Sequence, residues 1–248
     1  MIEINKIYNE DCLEGMKRIP DGSIDMILCD LPYGTTQNKW DSIIPFDKLW
    51  EQYERVIKSN GAIVLFAQPP FDKALGASKL SLLKYEWIWE KNKATGHLNA
   101  NKAPLKLTEN ILVFYKKVPR YNPQGIVKKY IPTIRKGRSN GTNYGKSDVD
   151  AIQKFGNYPK NLLKFETDNE TFHPTQKPVA LFEYLIKTYT NKEDTVLDNC
   201  MGSGTTAIAC LNTERNFIGF ETNKEYYDKS LERIKNNVTQ LDLFEEAK

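Results

Sequence analysis

Residues 29–41, with the sequence CDLPYGTTQNKWD, place an acid, a proline and an aromatic ring side by side. The largely apolar run 24–28 precedes them, and polar, turn-prone residues follow. An apolar run bounded by turn residues is typical of a buried strand. The sequence therefore predicts a strand that delivers Asp30, Pro32 and Tyr33 onto an exposed loop. A carboxylate there can accept hydrogen bonds or stabilise a positive charge, and a tyrosine ring can stack on a flat ligand.

A second segment of chemical interest is 195–211, TVLDNCMGSGTTAIACL, in which a predicted strand leads through a glycine turn into a helix. Gly202 and Gly204 allow the backbone to pass close to a ligand where a Cβ would collide. The segment is not a P-loop because no GK[ST] follows. It does not complete the dinucleotide motif GxGxxG either, since Ala207 closes the turn.

The next predicted strand ends in Glu221, 23 residues beyond Asp198. An acid at this separation lies at the tip of the neighbouring strand, where its carboxylate can accept both hydroxyls of a ribose. A Rossmann-like packing turn with an incidental acid is the alternative interpretation. The two features together favour a nucleoside cofactor, whose identity these residues leave open.

These segments belong to an alternation of short strand-like runs and longer helical stretches, which is typical of a parallel sheet flanked by helices. The predicted strands are 24–29, 62–67, 87–90, 110–115, 195–198 and 216–221. The predicted helices are 46–58, 71–82, 178–190, 204–212 and 223–236. The expected fold class is α/β, with a Rossmann-like, mostly parallel sheet flanked by helices and a basic insert.

The insert is the region 118–172, where the alternation breaks and glycine, proline, asparagine and basic residues are frequent. We expect a main domain made of 1–117 and 173–248, and we read GRSNGTNYG at 137–145 as a flexible loop. From 110 to 147 there is no acidic residue, and there are nine lysines and arginines. A solvated loop is the ordinary explanation, whereas a surface that faces phosphates is the functional one.

Composition excludes several classes of protein. Of 248 residues, 40% are apolar and 27% are charged, as in ordinary globular proteins. The apolar runs are too short to span a bilayer, and the first residues lack the apolar core of a signal peptide. Four cysteines without a CxxC pair and only two histidines argue against a metal site or a disulfide framework. We therefore expect a cytoplasmic protein without a metal or a membrane partner.

Three motifs resemble those of one enzyme family. DNCMGSGTT at 198–206 is similar to the D-P-F-x-G-S-G-T-T element of S-adenosylmethionine-dependent DNA amino-methyltransferases, and DLPY at 30–33 is similar to their D-P-P-Y element. HPTQKPVALFEYLI at 173–186 resembles the segment before the cofactor motif in the β-type arrangement. The motif order is that of the β type, and the resemblance covers nearly the whole chain apart from the insert. The departures are Leu31 for a proline and Asn199–Cys200 for Pro–Phe.

The resemblance implies S-adenosylmethionine (SAM) as the cofactor. The residues implied to bind it are Asp11, Cys12, Asp30, Lys177, Asp198, Gly202, Gly204, Thr205 and Glu221. Asp198 and the glycine turn are expected at the methionine end, Glu221 on the ribose and Asp11 on the adenine amino group. Lys177 is expected to wrap the cofactor from the other side. For Asp11 the alternative is an N-cap of a helix at 13–17.

The resemblance also implies a target, the exocyclic amine of adenine or cytosine in DNA. Such an amine is a poor nucleophile because its lone pair is delocalised into the ring. The Asp30 carboxylate and the Leu31 backbone carbonyl are expected to accept its two N–H groups, and the carboxylate to stabilise the positive charge that develops on nitrogen. Pro32 is expected to hold the turn and Tyr33 to stack on the base, which must flip out of the duplex to reach them.

Two groups of residues are expected to contact DNA. The polar loop TTQNKWD contains Lys39 and Trp40, of which Trp40 either wedges into the duplex or belongs to a small local core. The insert 118–172 is expected to be a target-recognition domain, in which Arg135, Lys136 and Arg138 contact phosphates or base edges.

The segment QLDLF, at Gln240–Phe244, resembles the pentapeptide by which bacterial replication proteins dock onto the sliding clamp. Packing of its apolar residues back onto the sheet is the alternative. Members of the family often form homodimers, although these residues reveal no interface.

An aspartate at the first position of the catalytic motif goes mainly with adenine N6 in the family, and a serine with cytosine N4. The expected function is therefore a site-specific adenine-N6 DNA methyltransferase, bacterial or carried by a phage. The alternatives are cytosine N4 in DNA, the glutamine amide of a protein and a catalytically silent DNA-binding subunit. The intact set of Asp30, Pro32 and Tyr33 argues against a silent subunit.

Overall fold

The computed structural model describes residues 2–34, 41–142, 145–147, 149–168 and 176–246. For residues 138–142, 145–147 and 240–246 it describes the backbone alone. The chain divides into two compact units, which we call the large unit (Met1–Asn122 with Asn161–Lys248) and the small unit (Pro123–Lys160). The functional division into a catalytic domain and a recognition insert stays a prediction.

Helices and strands alternate through most of the chain, as the sequence pattern indicates. The helices are α1 (Cys12–Met16), α2 (Phe46–Val56), α3 (Phe71–Ser78), α4 (Val179–Tyr189), α5 (Thr205–Asn212) and α6 (Lys224–Glu246). The strands are β1 (Lys6–Tyr8), β2 (Ile24–Asp30), β3 (Ile57–Ala67), β4 (Leu83–Thr95), β5 (Lys106–Phe114), β6 (Val127–Arg135), β7 (Arg138–Thr142), β8 (Gly145–Ser147), β9 (Ala151–Gly156), β10 (Leu162–Lys164), β11 (Thr195–Asp198) and β12 (Asn216–Phe220).

The large unit contains one sheet with the strand order β1–β12–β11–β2–β3–β5–β4–β10. Neighbouring strands are parallel except at β5, which runs antiparallel to both β3 and β4. The predicted mostly parallel sheet is therefore confirmed. Its central strands β2 and β3 contain nearly continuous buried apolar runs because both faces of the sheet are covered.

Aromatic side chains fill the core on each face of this sheet. On one face, the ring of Phe182 in α4 stacks on Phe66 of β3 with 5.1 Å between centroids. On the other face, Trp50 of α2 lies 5.0 Å from the ring of Phe114 in β5. Burial of such large apolar surfaces is the main force that holds helices against a sheet. The strands between the two cores are thereby fixed in position.

The carboxyl ends of β2 and β11 are neighbours, because Met26 of β2 is paired with Val196 of β11. The chain then leads from β2 to β3 on one side and from β11 to β12 on the other. At such a reversal of strand order, a crevice outside the carboxyl ends commonly binds a ligand. Asp30 and Asp198 end the two strands, so the fold brings the two predicted motifs to one edge.

Several elements differ from the sequence prediction in length. The strands predicted at 87–90 and 110–115 are too short, because β4 and β5 continue to pair with each other in outer parts where most side chains are exposed. The short elements β1 and β10 were not predicted from their three residues each. Helix α3 ends at Ser78 instead of 82, and α6 continues to Glu246 instead of 236, through the clamp-like segment.

The small unit consists of two antiparallel pairs, β6 with β9 and β7 with β8. The prediction of a flexible loop over 137–145 is wrong where the backbone is described, since 138–142 pairs with 145–147. Glycine and asparagine are depleted in strands, but they are favoured beside tight hairpin turns, so composition alone is ambiguous here. Among the helices of the described chain, none is long and apolar enough to span a membrane.

Candidate functional site

A cavity of about 570 Å³ lies in the large unit at the carboxyl ends of β2 and β11. The predicted site residues that line it are Asp11, Cys12, Asp30, Leu31, Pro32, Tyr33, Lys177, Asp198, Gly202, Thr205 and Glu221. The fold thus brings together residues from segments that are far apart in the sequence. Within the described chain, no group of three or more His, Cys, Asp and Glu side chains is arranged to hold a metal ion.

The DLPY segment is less exposed than the sequence suggests. Leu31 is buried, and Asp30, Pro32 and Tyr33 are half-buried at the rim of the cavity. The prediction of an exposed loop is therefore wrong for this part of the segment, because the Leu31 side chain packs into the core between the sheet and α1 to α3. The arrangement leaves Asp30 at the end of a rigid strand rather than on a free loop.

Tyr33 is held from two directions. Its hydroxyl lies 2.7 Å from Oδ1 of Asp30 and 2.8 Å from Oε1 of Glu109. Its ring stacks on Phe71 at the start of α3, with 5.1 Å between centroids and 28° between planes. The orientation of the ring at the cavity is thus fixed by contacts at both its edge and its face.

Lys177 contacts the predicted catalytic acid. Its Nζ atom lies 2.5 Å from Oδ2 of Asp30 and 3.1 Å from Oε1 of Glu109, and its side chain is 8% exposed. Its backbone carbonyl accepts a hydrogen bond of 3.3 Å from the Thr205 hydroxyl of the glycine turn. The residue therefore links the two motifs, and its charge lies at the Asp30 end. A cofactor contact of Lys177 stays a prediction.

Glu109 is a buried acid of the site that the sequence analysis missed. It lies on β5 and is 2% exposed. Besides Tyr33 and Lys177, it accepts hydrogen bonds from Lys91 at 2.7 Å and from the Gln68 amide at 3.1 Å. Because β5 runs antiparallel to its neighbours, its beginning lies beside the carboxyl ends of the parallel strands. The only sign of this residue in the sequence is an acid that stands two positions before the apolar run ILVF.

The charges around Glu109 set the protonation states of the site. Burial raises the pKa of Asp30, the nearby ammonium of Lys177 opposes this rise, and the negative charge of Glu109 adds to it. Burial also acts to raise the pKa of Glu109, but the positive charges of Lys177 and Lys91 outweigh it and lower the pKa to about 2. The pKa of Lys177 is raised because the two carboxylates outweigh the effect of burial. Lys177 therefore acts as a permanent cation.

Asp198 stabilises the glycine turn through two hydrogen bonds. One carboxylate oxygen accepts the Cys200 N–H at 3.0 Å, and the other accepts the Thr206 hydroxyl. Burial is the largest influence on this carboxyl group and raises its pKa to about 6. The expected place of Asp198 at the methionine end of a cofactor stays a prediction, but its hydrogen bonds already shape the turn.

The two glycines of the turn differ in position. Gly202 lines the cavity with φ at +50°, and its N–H donates to Oε2 of Glu221 at 2.8 Å. Gly204 has φ at +79°, and a Cβ there would lie 3.1 Å from the Cβ of Ser230 in α6. Gly204 is not part of the cavity lining. Its glycine requirement comes from the left-handed backbone and from the close approach of α6.

Asp11 and Glu221 lie at the side of the cavity formed by β1, β12 and α1. Asp11 is the N-cap of α1, where Oδ1 accepts the N–H groups of Leu13 at 2.8 Å and Glu14 at 3.2 Å. The alternative interpretation of Asp11 as a cap is thus confirmed, and its adenine contact stays a prediction. Glu221 accepts the Asn223 N–H at 2.7 Å through Oε1, and burial raises its pKa.

The residues predicted to contact DNA belong to other parts of the chain. Lys39 and Trp40 lie outside the described residues. Arg135 ends β6 and is exposed, as is Lys136, whereas only the backbone of Arg138 is described, at the start of β7. All three belong to the small unit. Their contact with DNA, like the docking of Gln240–Phe244 on a clamp, stays a prediction.

The chain is similar to DNA-modifying enzymes over nearly its whole length. The model of a family described as DNA methylase matches residues 24–232. The Type II methyltransferase M.BglII of Bacillus subtilis is 30% identical over 91% of this chain and 67% of that protein. The DNA adenine methyltransferase YhdJ of Escherichia coli is 28% identical over 94% of this chain and 83% of that protein. The crystal structure of the M1.HpyAVI–SAM complex is 28% identical with a TM-score of 0.64, over 92% of this chain and 98% of that one.

Proposed function

This chain belongs to the DNA methylase family of SAM-dependent amino-methyltransferases, and we propose that it transfers the methyl group of SAM to N6 of adenine within a specific DNA sequence. The observation that carries the proposal is the position of Asp30, which ends a buried strand and lines a 570 Å³ cavity beside the glycine turn. The aspartate at this motif position and the relative YhdJ, named a DNA adenine methyltransferase, support adenine over cytosine.

The residues of the cavity fit a nucleoside cofactor. Glu221 ends β12 with both oxygens held by backbone N–H groups, which leaves further lone pairs for the hydroxyls of a ribose. In the described chain, Oδ2 of Asp11 has no hydrogen-bond partner, so it is available to an adenine amino group while Oδ1 caps α1. When bound, SAM supplies an electrophilic methyl group on a positively charged sulfur. Since Asp30 lines the same cavity as these residues, they would hold the cofactor in the cavity that Asp30 faces.

The reaction depends on how the chain receives the target amine. Asp30 accepts one N–H of the amine and the backbone carbonyl of Leu31 accepts the other, which frees the nitrogen lone pair for attack on the methyl carbon. The Asp30 carboxylate then stabilises the positive charge that develops on this nitrogen. As the N–C bond forms, the S–C bond of SAM would break and the neutral sulfur would keep the bonding electron pair. The nitrogen then loses one proton, which the Asp30 carboxylate can accept. Tyr33, fixed by Phe71, stacks on the target base.

The depth of the site supports base flipping. Leu31 is 4% exposed and Asp30 is half-buried, and both residues line the cavity, so an amine must enter the cavity to reach the two acceptors. A base stacked in a duplex cannot bring its amine to such a place, and enzymes that modify bases therefore rotate the target nucleotide out of the helix. The Tyr33 ring replaces part of the stacking that the base loses.

The identity of the methylated base tests this function. The purified protein is incubated with unmethylated genomic DNA and radiolabelled SAM, and the product nucleosides are separated. The proposal predicts label in N6-methyladenine. Label in N4-methylcytosine would retain the enzyme class and overturn the base assignment. Absence of label in DNA, with SAM bound to the protein, would overturn the proposal.

A further inference from the structure

Four charged side chains that line the cavity form a continuous chain of ion pairs. Lys91 pairs with Glu109, Glu109 pairs with Lys177, and Lys177 pairs with Asp30, at distances of 2.7, 3.1 and 2.5 Å. The side chains of Lys91, Glu109 and Lys177 are 10%, 2% and 8% exposed. Buried ion pairs contribute little to stability compared with apolar residues of similar volume, because the loss of hydration offsets the attraction. A buried chain of charges that ends at a catalytic carboxylate therefore indicates a role in the reaction.

We propose that Lys177 and Glu109 are positioning residues that hold Asp30 ionised and Tyr33 oriented for methyl transfer. This inference rests on the proposed function, because it assigns to both residues a task at the target-amine end of the same site. Lys177 supplies the positive charge that an isolated buried carboxylate lacks. When the target amine displaces the ammonium group of Lys177 from Oδ2 of Asp30, the ion pair with Glu109 still holds Lys177 in the site.

The hydroxyl of Tyr33 shows why a second carboxylate, besides Asp30, is needed to hold the ring. It has one proton to donate, yet oxygens of Asp30 and Glu109 lie within 2.8 Å of it. When Asp30 binds the target amine, Glu109 still accepts the hydroxyl and holds the ring in place. Glu109 is suited to this because its low pKa keeps it ionised across the neutral range.

The protonation of Asp30 depends on the groups that face it from several elements. Among the described residues these are Lys177 before α4, Glu109 of β5, Tyr33 of its own loop and the more distant Asp198 of β11 and Cys29 of β2. Lys91 of β4 acts through Glu109. Lys177 is the cation in direct contact with Asp30, so its removal raises the pKa of Asp30. Removal of the Glu109 charge lowers it, because a like charge is lost.

Two substitutions that remove single charges test this inference by opposite shifts. Asp30 is observed directly through the 13C resonance of its carboxyl group during a pH titration, and the resonance is assigned by its loss in Asp30→Asn. Lys177→Gln is expected to move the titration midpoint of Asp30 upward by ~1–3 pH units, and Glu109→Gln to move it downward by about 1 unit. The acid limb of the kcat/KM profile for methyl transfer is expected to move with each midpoint, because activity requires the ionised carboxylate.

Lys177→Arg is the matched control, because it keeps the positive charge at the same place. Its midpoint is expected to stay near that of the wild type even if its rate falls. A change of stability alone would not move the midpoint in opposite directions in two variants. Unmoved midpoints, or shifts of the same sign in Lys177→Gln and Glu109→Gln, would overturn the inference.

The NMR titration also separates this inference from the proposed function. Methyl transfer by the wild type with unmoved Asp30 midpoints would reject the positioning role alone. Opposite shifts of the midpoints in a protein that transfers no methyl group to DNA would reject the proposed function and leave the charge coupling intact. If Lys177→Gln does not fold, Glu109→Gln and Lys177→Arg still decide the outcome, because a midpoint that is unmoved in Glu109→Gln contradicts the inference.

Discussion

The ammonium group of Lys177 lies 2.5 Å from Oδ2 of Asp30, although 147 positions separate the two residues in the sequence. The contact forms because the segment that precedes α4 passes beside the carboxyl end of β2. The contact gives the proposed catalytic acid a cationic neighbour within a buried site. Both the pKa of Asp30 and the access of an amine to its oxygens therefore depend on a residue of another motif.

Glu221→Gln is expected to weaken SAM binding by ~10-fold or more, because hydrogen bonds to a charged acceptor are worth about 1.5–3 kcal/mol each. The variant also weakens the bond from the Gly202 N–H, which shapes the glycine turn. Isothermal titration calorimetry with SAM measures the change. Glu225→Gln, at an exposed position of α6, is the control. Equal affinities of both variants would contradict the role of Glu221.

Tyr33→Phe and Tyr33→Ala separate the hydroxyl from the ring. The phenylalanine variant keeps the stack on Phe71, whereas the alanine variant loses it. Stacking of a base on an aromatic ring is worth ~1–3 kcal/mol, so the alanine variant is expected to lose about 5- to 150-fold in kcat/KM. The phenylalanine variant is expected to lose less. Steady-state methyl transfer to a DNA duplex measures both, and a larger loss for phenylalanine would show that stacking is not the function of this ring.

Replacement of Arg135 and Lys136 by alanine is expected to weaken DNA binding, because the two cations would no longer neutralise phosphates. Each neutralised phosphate adds about 0.9 to the slope of log affinity against log salt concentration. The double variant is therefore expected to show a slope that is shallower by ~1 for each of the two cations that binds a phosphate. Fluorescence anisotropy at several salt concentrations gives this slope. Lys192→Ala, in the large unit, is the control, and an unchanged slope in the double variant would argue against a phosphate-facing small unit.

The Asp198 carboxyl makes stability depend on pH. Its pKa of about 6 in the folded chain lies above the ordinary value of 3.8, so the folded state binds this proton more tightly than the unfolded state between these values. The contribution of Asp198 to stability therefore falls as pH rises through this window, by ~3 kcal/mol in total. Asp198→Asn removes this dependence. Urea unfolding at pH 4 to 7.5 is expected to show the stability of the variant rising relative to wild type with pH; a constant difference would contradict this.

The sequence was sufficient for the parts of the site that follow regular strands. Because the carboxyl ends of parallel strands share one edge of a sheet, two motifs that each follow a strand are expected to meet, and Asp30 and Asp198 do so. The glycine turn and Glu221 could be placed by the same argument. The helices and central strands were marked by apolar periodicity, so their existence was predictable and their ends were less so.

The features of the fold and the site that the sequence did not predict depend on strand direction and on side-chain contacts. Nothing local in the sequence shows that β5 runs against its neighbours, and this reversal brings Glu109 to the site. The ion pair of Lys177 with Asp30 depends on the path of the chain before α4, which no periodicity records. In the small unit, backbone pairing of 138–142 with 145–147 occurs in a segment whose glycines and asparagines indicate a loop.

The central claim, that Asp30 carries methyl transfer, is tested most directly by single-turnover transfer from radiolabelled SAM to DNA, comparing the wild type with Asp30→Ala. SAM affinity and thermal stability are measured for both proteins, so that loss of the carboxylate is separated from loss of the fold. We predict N6-methyladenine in the wild-type reaction and a fall of at least ~100-fold in the rate for Asp30→Ala, since removal of an electrostatic stabiliser at the reacting centre typically has this effect. Transfer by Asp30→Ala at the wild-type rate would contradict the account.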